Sequence, residues 1–277
     1  PFNDPLLKDQ WHYINTGQLG LPGDKADVNL GAAWNVTAGR SDIIVAVQDE
    51  GVDVNHEDLK ANMWINTKEI PGNGIDDDGN GYIDDVYGFN FVGLTGNITA
   101  QSHGTHVAGT IAAVNNNGIG VSGVAGGTGN GDGVKVMSLQ IIGGATAGHI
   151  MRSYVYAADK GAVISQNSWG YSTPGISEKD VLDGIDYFID YAGDYPGSSM
   201  KGGIVIFAAG NDGADGDFWP GVYERCVAVS AAGPEWEIAT YSNYGKWIEI
   251  SAPGGDTQKY GMAKAGVLST LPGNQYG

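Results

Sequence analysis

At 277 residues, 42% hydrophobic and 10% aromatic, the chain is long and apolar enough to bury one sizeable α/β core without division into smaller domains. Its formal net charge of −18, from 32 acidic against 14 basic residues, argues against nucleic acid and anionic membrane surfaces, which both require clustered Lys and Arg. The balance fits a secreted, cation-binding protein instead, and no apolar run approaches the roughly 18 residues of a membrane span.

Residues 1–40 are loop-rich, with Gln10-Trp11 and Ala32-Ala33-Trp34 as anchors for short helical pieces. Asp42 to Val47 is a continuous apolar, β-rich run, the pattern of a strand covered on both faces in a parallel sheet. Asp49 follows at its carboxyl end, where α/β folds place reactive groups. Residues 66–100 are polar and glycine-rich. Within Gln101–Val114, the spacing of Thr105, Ala108, Ile111 and Ala112 predicts a helix from about His103 with one face on the core. Gly104 and Gly109 cost such a helix roughly 1 kcal/mol each, which is tolerable where a backbone or a substrate comes close.

Further along, residues 135–142 read as a buried strand, and 149–160 as a helix with Ile150, Tyr154 and Ala157 on one side, ended by Gly161. Residues 162–165 open a strand that runs into Asn167-Ser168-Trp169-Gly170. A helix over 178–191 and strands over 203–209 and 226–230 follow. The lone cysteine, Cys226, sits in the last of these and reads as a small buried hydrophobe rather than a catalytic thiol. Strands alternating with helices predict an α/β fold: a single domain over 1–277, built on a doubly wound, mostly parallel sheet with helices on both faces.

One stretch suggests a metal. Asp76, Asp78, Asn80, the carbonyl of Tyr82, and Asp84 occupy the first, third, fifth, seventh and ninth places of an EF-hand-type loop, with Gly81 at the sharp turn. The spacing points to Ca2+; the bland alternative is a solvated acidic loop. Tyr87 stands where the bidentate glutamate belongs, with Asp85 nearby as a substitute.

A histidine in an apolar run is by itself more often structural than catalytic. Here His103-Gly-Thr-His-Val-Ala-Gly-Thr110 resembles the histidine motif of the subtilisin-like serine proteases. Ile43 to Gly51 before it and Phe207 to Asp212 after it resemble two further blocks in the same order. The resemblance runs from about Trp11 to the last residue. It implies a secreted serine endopeptidase acting on polypeptides, in which Asp49 orients His103 as general base and Asn211 contributes to the oxyanion hole. Ser168, Trp169 and Gly170 would bind substrate. A second calcium set would comprise Asp58 with Val114, Asn116, Ile119 and Val121, although an extra residue in Asn115–Gly118 leaves Asn116 and Asn117 as alternatives.

Two departures matter. Glu50 stands where the family has serine or threonine beside the catalytic aspartate. The nucleophile block Gly-Thr-Ser-Met-Ala-x-Pro is absent, so the domain is expected to be incomplete at its C-terminal end and inactive alone, completed either by a separate C-terminal piece that carries the serine or by a partner that fills the gap. The start at Pro1 suggests a removed leader and pro-segment. Gly197-Ser198-Ser199-Met200 imitates the missing block but precedes Asn211. Two rival readings are a non-catalytic module that binds peptides or partners, and a metallohydrolase using His103 and His106.

Overall fold

The runs read as buried strands do pair, in a computed structural model that describes residues 2–277. The strands are β1 (Ile44–Asp49), β2 (Gly88–Asn90), β3 (Lys135–Gln140), β4 (Ile164–Asn167), β5 (Ile204–Ala208), β6 (Val227–Ala232) and β7 (Ile250–Pro253). They form one sheet in the order β2-β3-β1-β4-β5-β6-β7, every neighbouring pair parallel. The helices are α1 (Leu30–Ala33), α2 (Ser102–Ala112), α3 (Ala147–Asp159), α4 (Lys179–Tyr191) and α5 (Thr257–Tyr260). The expected strand over 42–47 begins later, at Ile44, and β2, too short for a periodic signal, was not anticipated.

The pleat sorts side chains between two layers. Ala46, Met137, Leu139, Val205 and Phe207 meet Ile150, Tyr154 and Ala157 of α3 and Val181, Ile185 and Phe188 of α4. On the opposite face Val45, Val47 and Val136 meet Ala108 and Ala112 of α2. α3 starts where the Thr146 side chain accepts the His149 N–H, and Gly161, at φ +93°, ends it.

Both glycines of α2 mark close approaches of other segments of the chain, backbone at Gly104 and side-chain hydroxyls at Gly109. A Cβ on Gly104 would lie 2.5 Å from the Gly51 carbonyl oxygen, and one on Gly109 would lie 2.1 Å from Thr270 Oγ1. The second contact seats a terminal hairpin, β8 (Thr270–Leu271) and β9 (Gln275–Tyr276), on the helix; Thr270 Oγ1 donates to the Thr105 carbonyl at 2.8 Å.

α2 covers only part of its face. Over β5, β6 and β7 the same side stays open: Ile204 is 41% exposed, Ile250 is 57% exposed, and Ile206, Val227 and Val229 are half-buried. A groove of ≈ 240 Å³ runs there between Ile206, Ala208, Val229 and Ala252.

Candidate active site and acidic centres

β1, β4 and β5 are adjacent and parallel, so their carboxyl ends share one edge of the sheet. From β1 the chain crosses to β3 on one side and then to β4 on the other, the switch point at which open α/β sheets form their crevice. Asp49 ends β1, Ser168–Gly170 follow β4, and Ala209–Asn211 follow β5.

Asp49 is 1% exposed, and its Oδ1 accepts from His103 Nδ1 at 2.8 Å. The same oxygen accepts the Glu50 N–H at 2.7 Å, while Oδ2 is buried without a partner. The His103 side chain is 51% exposed, and its Nε2 has no partner among the described residues. Its hydrogen bond to Asp49 raises the imidazole above the ordinary histidine value; burial opposes this, and the charges of Asp49 and Glu50 add to the rise. Asp49 therefore fixes the proton on Nδ1 and leaves Nε2 as a base facing solvent.

Ser168, Trp169 and Gly170 form one wall of a cleft of ≈ 290 Å³, with Ala208–Asp212 and Phe218, Trp219 and Gly221 opposite. Gly170 leaves room beside the Trp219 carbonyl, which a Cβ would approach to 3.2 Å. Trp169 packs edge-on against Phe207, ring centroids 5.3 Å apart. Asn211 lines this cleft, and its side-chain amide makes no hydrogen bond among the described residues. It is a free donor beside a pocket.

The nucleophile mimic lies elsewhere. Ser199 Oγ donates to Asp42 Oδ2 at 2.7 Å, before the amino end of β1 and at the sheet edge opposite Asp49. Ser251 Oγ meets Ser230 Oγ at 2.5 Å. His106 does not join His103 around an ion: its Nε2 lies 2.9 Å from the Val267 carbonyl oxygen, while His103 Nδ1 holds Asp49.

A model of the subtilase family matches residues 40–277. The chain belongs to the subtilase family. It is similar to the thermophilic serine proteinase of Bacillus sp. (strain AK1), 32% identical over 272 residues, covering 98% of this chain and 56% of that protein. Halolysin of Haloferax mediterranei is 33% identical over 240 residues, 87% of this chain and 40% of its own length. This subtilase thus spans about half the length of the curated relatives it matches. A solved protease from Pseudoalteromonas arctica PAMC 21717 superposes with a TM-score of 0.72 at 30% identity, covering 99% of this chain and 80% of that one. The prenylagaramide maturation protease PagA, at 21% identity and a TM-score of 0.63, shares the fold.

The subtilase's two acidic centres differ in how well they fit a cation. Around buried Asp58, Oδ1 accepts from Asn117 Nδ2 at 2.7 Å and Oδ2 from the Val121 N–H at 3.0 Å. Asn117, not Asn116, is the amide brought to Asp58; Asn116 turns its side chain to the Thr128 carbonyl. The extra residue shifts the register by one. Asp4, which sequence reasoning missed, is 4% exposed and accepts the N–H groups of Asn116 and Asn117. The carbonyls of Val114, Ile119 and Val121 accept no hydrogen bond among the described residues. Burial pushes the Asp58 carboxyl up to about 7, and neighbouring Asp4 and Glu57 add to the rise. Two carboxylates, an amide and three unclaimed carbonyls are a hard-cation ligand set.

The 76–84 loop does not gather its five predicted positions. Asp84 turns away and accepts the N–H groups of Asn73 and Gly74, while Asp76 accepts those of Asn80 and Gly81. The carboxylates that come within 4.8 Å of one another are Glu69, Asp78 and Asp85. Lys160 already supplies a cation there, with Nζ 2.5 Å from Asp78 Oδ2 and 3.8 Å from Asp85 Oδ2. Asn80 donates to Asp85, and the Tyr82 ring packs against Phe89 and Tyr156. A lysine 82 residues from Asp78 is outside the reach of any loop motif.

Proposed function

We propose that this subtilase chain is the greater part of a serine endopeptidase domain. The observation that carries the reading is the 2.8 Å Asp49–His103 pair at the sheet edge that also bears the Asn211 cleft. Hydrolysing an amide with serine needs a base for the hydroxyl proton, a carboxylate to fix the base's tautomer, and donors for the oxyanion. His103 Nε2 takes the serine proton and returns it to the leaving amine; Asp49 stays ionised and steadies the imidazolium. Asn211 donates to the oxyanion, and the cleft walled by Ser168, Trp169 and Gly170 receives the side chain before the scissile bond.

The serine comes from a segment outside these 277 residues. The open apolar face over β5–β7 supports this, since a segment or separate piece packed there would bury Ile206, Val229 and Ile250. Secretion is supported by the relative from Xanthomonas campestris, whose name is extracellular protease, and no helix among the described residues is long and apolar enough to cross a membrane.

The test is covalent. A serine-directed organophosphorus reagent should label one serine of the active full-length protein outside residues 1–277 and abolish peptide cleavage; labelling on Ser199 or Ser251 would overturn the assignment. Asn211→Ala should lower kcat by about 10²–10³ with KM little changed, the loss measured for the corresponding subtilisin asparagine in this same family. An unchanged kcat would remove Asn211 from the oxyanion hole.

Ca2+ belongs with Asp58, Asp4, Asn117 and the three free carbonyls. At a hundredfold excess over its Kd, an ion bound only to the native state adds about 2.7 kcal/mol. Chelation should then lower the melting temperature by roughly 5–10 °C in a protein of this size. Asp58→Asn should remove most of that difference. A melt indifferent to EDTA would exclude the ion.

A further inference from the structure

His106 sits one turn past His103 on α2 and takes no part in the proton transfer. The two imidazoles are three residues apart, about 4.5 Å along the helix axis and on the same side of it. The His106 side chain is half-buried, with Nε2 2.9 Å from the Val267 carbonyl oxygen and 3.2 Å from that of Gly277. Carbonyls only accept, so the ring proton sits on Nε2. Burial pushes this imidazole below the ordinary histidine value, against the pull of the two carbonyl bonds, and keeps it neutral.

Val267 and Gly277 begin and end the segment that folds into β8 and β9. Ser269 and Gly277 close its open end, each donating its N–H to the other's carbonyl at 3.0 Å. Ser269 Oγ donates back to the His106 carbonyl at 2.8 Å, and Thr270 Oγ1 donates to the Thr105 carbonyl at 2.8 Å, both side chains fully buried. At the other end, the Gly273 N–H donates to Asp53 Oδ2 at 2.9 Å and Asn274 Oδ1 accepts the Glu57 N–H at 2.7 Å. The hairpin's turn is therefore held by the residues that follow β1, and its open end by a single turn of α2. One imidazole N–H spans both legs of that open end. The same helix carries the base: Gly104 lies against the Gly51 carbonyl, and His103 holds Asp49 at 2.8 Å.

We propose that His106 is a positioning residue: by clamping the open end of the β8–β9 hairpin to α2, it sets the serine carried beyond Gly277 against His103 Nε2. This rests on the peptidase reading. Reacting groups must stay about 3–3.5 Å apart, and a misplacement of about 1 Å costs about 10² in rate, so a loosened hairpin should show as lost turnover.

The experiment uses the complete, active protein, with rates expressed per serine titrated by an organophosphorus reagent. His106→Leu keeps the bulk and removes the donor; it should lower kcat about 10²-fold and change KM less than about threefold, because His106 takes no part in the walls of the Ser168–Gly221 cleft. His106→Gln places an amide N–H near the same carbonyls and should recover kcat to within about tenfold of the native value. A structural role alone would lower the melting temperature and the titratable fraction and leave kcat per titrated serine unmoved. A kcat in His106→Leu within about threefold of native, or equal losses in His106→Leu and His106→Gln, would overturn the proposal. Should His106→Leu not fold, the native protein decides: 15N NMR should find the His106 proton on Nε2 across the active pH range, and a proton on Nδ1 would remove the clamp. A native protein that cleaves no peptide would instead overturn the peptidase reading, with the His106 tautomer still reporting on the hairpin.

Discussion

Purified alone, a polypeptide of residues 1–277 is expected to cleave peptides at least about 10⁶-fold more slowly than the same chain continued through a Gly-Thr-Ser-Met segment. The magnitude follows from how the three groups act as a unit: removing the serine of a subtilisin costs about as much as removing the whole triad, roughly 2 × 10⁶ in kcat. Asp49, His103 and Asn211 without a nucleophile retain only the part of catalysis due to binding and oxyanion stabilisation, about 10³–10⁴ over water. Adding the continuation should restore cleavage that serine-directed inhibitors stop. Robust inhibitor-sensitive turnover by the isolated 277 residues would mean that another serine of the chain is the nucleophile. The contacts of Ser199 with Asp42 and of Ser251 with Ser230 argue against both.

Replacing His103 by alanine in the complete enzyme should lower kcat by about 10⁶, with KM changed little, because the imidazole moves a proton and does not hold substrate. The pH profile gives an independent check. Asp49 raises the imidazole above its ordinary value, so the protonated, inactive form persists to higher pH than an isolated histidine would allow. The acid limb of kcat/KM in the native enzyme should therefore lie above pH 6.5, the unperturbed value. In His103→Ala the residual rate should lose that limb and follow hydroxide instead. A modest loss of tenfold or less would reduce His103 to a structural residue.

Much of this site is legible in the chain because its signals are local. Buried strands announce themselves by unbroken apolar runs, and β1, β3, β4, β5 and β6 all lie where those runs predict. Asp49 and His103 are 54 residues apart, yet each sits in a distinctive block at an element's end. What stayed hidden depends on contacts between distant segments. Lys160 and Asp78, Asp4 and the Asn116–Asn117 backbone, and the seating of Thr270 on Gly109 have no periodicity to betray them. The 76–84 loop shows the converse error: its spacing matches a ligand pattern, but spacing does not fix where Asp84 points, and the backbone at Asn73 and Gly74 claims that carboxylate. The sequence leaves Asn116 and Asn117 as alternatives because a single inserted residue moves the amide one place along the loop, and it is the Asn117 side chain that reaches Asp58.

The bare half of the sheet bears on how the 277-residue polypeptide behaves in a tube. Ile204, Ile250 and the half-buried Val227 and Val229 make one side of the molecule adhesive at short range, whereas a formal charge of −18 makes whole molecules repel at longer range. The reach of that repulsion shrinks from about 30 Å at 0.01 M salt to about 3 Å at 1 M. Ionic strength, more than protein concentration, then sets whether the preparation stays monodisperse, and a buffer chosen to mimic a saline environment is the one in which it clusters.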